Sequence, residues 1–134
     1  MLLVNGRYPG PTVTATEGDE IVVHVTNNAN EPISVHWHGL LQRDTNYMDG
    51  VDGTTQCGIS PNRTFTYRFS CEQRGTFWYH SHSGVQQTDG FKGALIIQPR
   101  LPLYSIDEEY IIELSDHYNT LANVLLNWYL SPAR

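Results

Sequence analysis

Residues 64 to 69, Thr-Phe-Thr-Tyr-Arg-Phe, alternate polar and aromatic side chains without a break, and this period of two narrows the folds open to the chain more than any other feature. In an extended strand successive side chains point to opposite faces, so Phe65, Tyr67 and Phe69 share one side while Thr64, Thr66 and Arg68 share the other. Similar runs recur along the sequence. Thr12 to Thr16 and Glu20 to Asn27 are rich in Val, Ile and Thr, and the turn cluster Glu17-Gly18-Asp19 between them predicts two strands joined by a tight turn. Ile21, Val23 and Val25 share one face of the second. Pro32 precedes the β-prone run Ile33 to His38, and Thr76 to His82 and Ala94 to Gln98 complete a series of short strands punctuated by Gly and Asn. That rhythm predicts an all-β fold, an antiparallel sandwich or barrel.

The character changes after Gln98. Pro99 and Pro102 flank a linker, Glu109 to Leu114 is a strand candidate, and Leu121 to Leu130 has the apolar density of a short helix. A boundary near residue 100 follows, with 1–100 as the main domain and 101–134 as a linker and a stub too short to bury a core of its own. No internal repeat is visible. The chain of 134 residues has 8 Lys plus Arg against 14 Asp plus Glu, a net charge of −6, with no basic run to follow a phosphate backbone. Nucleic acid is therefore excluded as an expected partner. Apolar stretches such as Ala94 to Ile97 and Val124 to Leu126 fall far below the roughly 18 to 20 residues that cross a bilayer, so no membrane span is expected. The start, MLLVNGRYPG, lacks the charged beginning, sustained apolar core and cleavage site of a signal peptide.

Two histidine pairs carry the chemistry. His36-Trp37-His38-Gly39 and Trp78-Tyr79-His80-Ser81-His82 each place two imidazoles one residue apart. On a strand such a pair points one way, with Cα atoms roughly 6 to 7 Å apart, while the residue between points into the opposite layer. If the two strands are neighbours, four rings converge. Imidazole is a good ligand for copper, zinc, iron and nickel, so ligand type alone does not name a metal. A lone H-x-H is more often an incidental pair, but two of them beside large aromatics and Gly-rich turns favour a metal site. A zinc hydrolase is the weakest reading, because the pattern does not continue as H-x-H-x-D-H; Leu40 and Leu41 follow Gly39. His24 is read as an exposed strand histidine and His117 as structural. Asp49-Gly50 and Asp89-Gly90 read as turns, and Trp37, Trp78 and Tyr79 as core aromatics that lock the ligand strands. Cys57 and Cys71 could close one disulfide, though sequence does not show that their geometry fits. Asn62-Arg63-Thr64 is a glycosylation sequon in a turn-like setting, which slightly favours export.

With HWHG, Asp49-Gly50, Gln56-Cys57-Gly58-Ile59, and then GTFWYHSH followed by Gln86, Asp89-Gly90 and Gly93, the chain resembles the amino-terminal, plastocyanin-like domain of the multicopper oxidases, most closely the laccase-like fungal members. Val4-Asn5-Gly6 with Pro9-Gly10-Pro11 is similar to an early turn of that family, and Asp107 to Tyr118 is similar to the opening of its second domain. The resemblance implies a cupredoxin-like (plastocyanin-like) Greek-key β-sandwich. It also implies copper as cofactor. His36 would be a ligand of the type 2 copper, His38 and His80 of one type 3 copper, and His82 of the other, in a three-copper cluster that passes electrons to O2. Asp49 would be a nearby carboxylate that orients ligands or relays protons. Cys57 matches a family cysteine whose usual partner lies in the second domain, with Gly58 in place of the Pro common after it.

Departures from the family define the expected function. The four further histidines and the Cys-centred type 1 (blue) copper motif of the last domain are not in the sequence: after Cys71 the first His is His80, and the only methionines are Met1 and Met48. The first strand expected before Val4 and an export signal are also missing. The chain is thus expected to be a fragment of a laccase-like oxidoreductase that carries half of the trinuclear site, silent alone. The parent enzyme would be secreted, would contain second and third cupredoxin domains, and would reduce O2 while oxidising a phenol, a related aromatic or a metal ion. The alternative is a non-enzymatic copper-binding β-sandwich.

Overall fold

The computed structural model describes residues 1–102 and 104–132, so positions 103, 133 and 134 of the expected linker and stub lie outside the described residues. Among the described residues six strands and one α-helix follow in order: β1 Val13–Thr16, β2 Glu20–Thr26, β3 His36–His38, β4 Thr64–Ser70, β5 Gly75–His80, β6 Lys92–Gln98 and α1 Ala122–Leu130. They form a four-stranded sheet in the order β1-β6-β5-β3 and a two-stranded sheet β2-β4. All pairs are antiparallel except β1 with β6. The strands expected up to Gln98 are therefore present, two of them markedly shorter. Only His36–His38 of the Ile33 run is strand, Ile33 making an isolated bridge to Ile59 instead, and β5 stops at His80, two residues before His82. The tight turn between β1 and β2 does not make a hairpin. It sends β1 to β6 and β2 to β4, so the chain crosses from one sheet to the other at Gly18, whose φ of +90° suits a residue without a side chain.

The alternation in β4 explains how the sheets stack. Tyr67 and Phe69 are buried and Phe65 is half-buried, whereas the opposite faces of β2 and β4 carry an exposed Arg68–Glu20 ion pair and the cross-strand bonds of His24 Nδ1 with Thr66 Oγ1 and of Thr26 Oγ1 with Thr64 Oγ1, both 2.8 Å. His24 is thus the exposed strand histidine expected. Trp37 occupies the centre of the interior at 1% exposure, with ring centroids 5.0 Å from Phe69, 5.4 Å from Tyr67 and 6.1 Å from Tyr79. Removing such a ring from water contributes roughly 4 to 6 kcal/mol at about 25 cal/mol per Å². Its indole Nε1 is buried without a hydrogen-bond partner, which offsets part of that gain.

The stretch Glu109 to Leu114 is not a strand; it has no regular structure, and Ile112 and Leu114 are 80% and 91% exposed. Its β-branched composition is not enough, because pairing needs a free sheet edge. Residues 111–116 instead line a groove with Thr76, Phe77, Trp78, Lys92 and Ala94, which belong to β5 and β6, and β6 is already paired on both sides by β1 and β5. The expected helix is present as α1, tied back by a bond from Ala122 N–H to Asp89 Oδ1 at 2.8 Å. Among the described residues no helix is long and apolar enough to cross a membrane.

Replacing Trp37 by Ala should cost about 3 to 5 kcal/mol in denaturant unfolding, through loss of burial and the cavity left behind. Trp37→Phe should cost distinctly less, since it keeps an aromatic ring and removes the unpaired donor.

Candidate metal centre

The register between β3 and β5 builds the site. His36 stands opposite His80, Trp37 opposite Tyr79 and His38 opposite Trp78. Residues directly opposite one another share a face, so His36, His38, His80 and Trp78 lie on one side of the sheet and Trp37 and Tyr79 on the other. Trp78 is therefore not a core aromatic, contrary to expectation. It is half-buried on the ligand face, where its ring stacks at 4.3 Å on His80 and 4.9 Å on His38, with interplanar angles near 30° that limit how either imidazole can turn. Tyr79 keeps the core position, and its phenol, pushed up to about 12 first by burial and then by Glu113, donates to the Pro11 carbonyl at 2.9 Å.

One ring nitrogen each of His36, His38 and His80 fall within 4.8 Å of one another. Two of the rings have their tautomer fixed. His36 Nδ1 lies 2.8 Å from the Asp49 backbone carbonyl and His80 Nδ1 lies 2.9 Å from the Ser81 carbonyl. A carbonyl can only accept, so each Nδ1 carries the proton and each Nε2 keeps a lone pair for a cation. His80 Nε2 faces His38 Nδ1 at 3.2 Å. Metal–imidazole bonds of about 2.0 to 2.1 Å place two ligand nitrogens roughly 3 Å apart when the angle between them is near 90° to 100°, so that spacing suits one shared ion. His80, 5% exposed, is held neutral. Burial first, then repulsion from His36, His38 and His82, lower its pKa from 6.5 to about 4, although the Ser81 carbonyl opposes the shift. The donor set therefore fits a borderline cation such as copper: neutral imidazoles, oriented lone pairs and backbone acceptors behind them.

His82 lies beyond the end of β5 and is exposed, with its ring 5.3 Å from that of His36 and 6.0 Å from that of His80. It stands beside the group of three rather than in it. Asp49 follows a short 3-10 turn, Asn46–Met48, and its Oδ1 is 3.3 Å from His36 Nδ1. Gly50 has φ +78°, and a Cβ there would overlap the Val35 carbonyl, so the backbone packs directly against the strand leading to His36 and brings Asp49 to the ring. Asp89-Gly90 forms the expected turn. His117 stands apart from the cluster, 6.3 Å from the Tyr8 ring. Cys57 and Cys71 are both free thiols, one exposed and one buried. One contact near the site carries no signal in the sequence, because it joins distant loops: Ser83 Oγ to Asp52 Oδ2 at 2.5 Å; beside it, Ser81 Oγ bonds Gln86 Oε1 within its own loop at 2.7 Å. Parity alone would have placed Trp78 correctly, since it stands two residues from His80.

Residues 1–102 match the family model described as multicopper oxidase. The chain is 42% identical over 131 residues to the iron transport multicopper oxidase fetC of Epichloe festucae, covering 96% of this chain and 21% of that protein. It is 44% identical over 135 residues to laccase-1 of Cryptococcus neoformans var. grubii, covering 97% of this chain and 22% of that one. The solved structure of Fet3p, titled a multicopper oxidase that functions in iron import, aligns with a TM-score of 0.88 at 41% identity, over 95% of this chain and 24% of that chain. The chain thus spans about a fifth of the length of the relatives it matches.

The His80 shift has a pH signature in the metal-free chain. Its folded pKa lies below the unfolded value, so between about 6.5 and about 4 the unfolded state binds more protons and stability falls as the pH drops. The loss attributable to His80 should be on the order of 2 to 3 kcal/mol by pH 4. It should be smaller in a His80→Phe variant, as read by denaturant midpoints across that window; an NMR titration should place the His80 ring near 4.

Proposed function

The chain belongs to the multicopper oxidase family and has its cupredoxin-like fold, and from that premise we propose that it supplies one side of a trinuclear copper centre in a laccase-like oxidase. His36 would hold the type 2 copper, His38 and His80 one type 3 copper, and His82 the other. Copper, when bound, supplies the one-electron chemistry that carries O2 to water and that side chains alone do not readily perform. The observation behind this reading is the β3–β5 register, which gathers three imidazoles within 4.8 Å and sets a fourth ring 5.3 Å from the first.

The residues of the chain have separable tasks. The Asp49 and Ser81 carbonyls hold protons on Nδ1 of His36 and His80, which aims both Nε2 atoms outward. Trp37 and Tyr79 brace the strands from the dry side, and Trp78 shields two rings from water. The Asp49 carboxylate, partly open to solvent, can move protons between water and the site as oxygen is reduced. The remaining histidines and the type 1 copper, where electrons enter, would come from second and third cupredoxin domains. Residues 1–100 act as the first such domain, and 101–134 lead into the second. A phenol, a related aromatic or a metal ion would be the reductant. The Asn62 sequon lies on an exposed turn before β4, in keeping with a secreted protein.

Two assays test the proposal. The 134-residue chain loaded with copper should show no sustained oxygen uptake with a diphenol. Grafted in place of the matching segment of the Cryptococcus laccase, it should support turnover, which His36→Ala abolishes and Asp49→Asn lowers roughly 10- to 100-fold. A well-folded graft that binds copper at full stoichiometry yet consumes no oxygen would point instead to a non-enzymatic copper-binding sandwich.

A further inference from the structure

His82 is the one ring of the four that no strand pairing holds, since β5 ends at His80. Its neighbours hold it instead. Ser81 and Ser83 are both buried, and both hydroxyls are engaged: Ser81 Oγ donates to Gln86 Oε1 at 2.7 Å and accepts from the Ser83 N–H at 3.3 Å, while Ser83 Oγ donates to Asp52 Oδ2 at 2.5 Å. Gln86 is anchored in turn by its Nε2, which donates to the Pro32 carbonyl at 2.9 Å. With serines on either side pinned inward, the side chain between them projects outward, toward His36.

Asp52 is the informative partner because of where it sits. It lies three residues after Asp49, whose carbonyl and carboxylate both face His36. The turn that carries Asp52 is tightly bonded. Val51 O accepts from the Thr54 and Thr55 N–H groups at 3.1 and 2.9 Å, Val51 N–H donates to Thr55 Oγ1 at 2.9 Å, and Gly53 N–H donates to the Gln56 carbonyl at 2.9 Å. Gly58 packs so close to the carboxylate that a Cβ there would lie 3.1 Å from Oδ2. One short rigid segment, 49–52, therefore touches His36 at one end and the His82 loop at the other.

We infer that Asp52 is a positioning residue of the metal centre: by accepting the Ser83 hydroxyl proton in a hydrogen bond, it fixes the His82 ring at its distance from His36. Its importance for metal binding rests on His82 being a ligand, as proposed above. A carboxamide at position 52 offers the same acceptor oxygen, so the hydrogen bond rather than the charge is what the site needs. Nothing in this role requires Asp52 to touch a metal.

The full chain serves for the test, with copper(II) affinity measured by competition against a chelator and the mobility of the His82 ring measured by NMR relaxation in the metal-free state. Asp52→Ala and Ser83→Ala should each weaken copper binding roughly tenfold and loosen the His82 ring. The double variant should be no worse than either, and Asp52→Asn should bind like the parent. In a His82→Ala background, Asp52→Ala should cause no further loss. An equal loss with and without His82, a loss in Asp52→Asn matching that of Asp52→Ala, or an unchanged His82 ring in Asp52→Ala would each overturn the inference. Should His82→Ala leave copper affinity at the parental value while ring order still depends on Asp52, the ligand role of His82 fails and the positioning role stands.

Discussion

The pairing of β3 with β5 is the constraint on which the rest depends. It is short, with three residues of β3 engaged, yet it decides at once which side chains face the interior and which face the site. A slip by one residue would turn His36 and His38 into the core and expel Trp37. The buried tryptophan therefore does more than fill space. Its contacts with Tyr67, Phe69 and Tyr79 disfavour any one-residue slip, and the arrangement of the imidazoles follows from hydrophobic packing on the opposite face.

Supporting groups around the rings come mostly from backbone. Two carbonyls fix two tautomers, and Gly50 leaves room for a loop to press on the strand before His36. The two carbonyls do not depend on side-chain identity, whereas position 50 admits only glycine, because a Cβ there would overlap the Val35 carbonyl. Side chains add to them: Trp78 stacks on two rings, the Asp49 carboxylate stands beside His36, and Asp52 bonds the His82 loop.

Much of this was legible in the residues themselves. The aromatic alternation of 64–69 declares its buried face because the two faces differ so sharply in polarity, and the paired H-x-H motifs foretell converging imidazoles because strand geometry aims both rings of each pair one way. The failures have physical causes too. Glu109 to Leu114 has the composition of a strand, but composition carries no information about whether a sheet edge is free to receive it. The size of Trp78 points to the core, although its two-residue spacing from His80 places it on the other face. Asp52 and Ser83 are 31 residues apart and meet only because the sandwich brings two loops together, and no local pattern announces such a contact. His82 looked like part of a strand because its motif mirrors that of His36, yet the ladder ends before reaching it.

The two cysteines differ in a way that has practical reach. Cys71 is sealed in the core, its thiol pushed up to about 11 by burial and by Asp19, whereas Cys57 lies exposed on the loop that follows Asp52. An electrophilic dye or spin label would react at Cys57 and spare Cys71 as long as the core stays closed. That leaves a single attachment point a few residues from the clasp between Asp52 and Ser83, where a reporter could follow that clasp without any engineered residue.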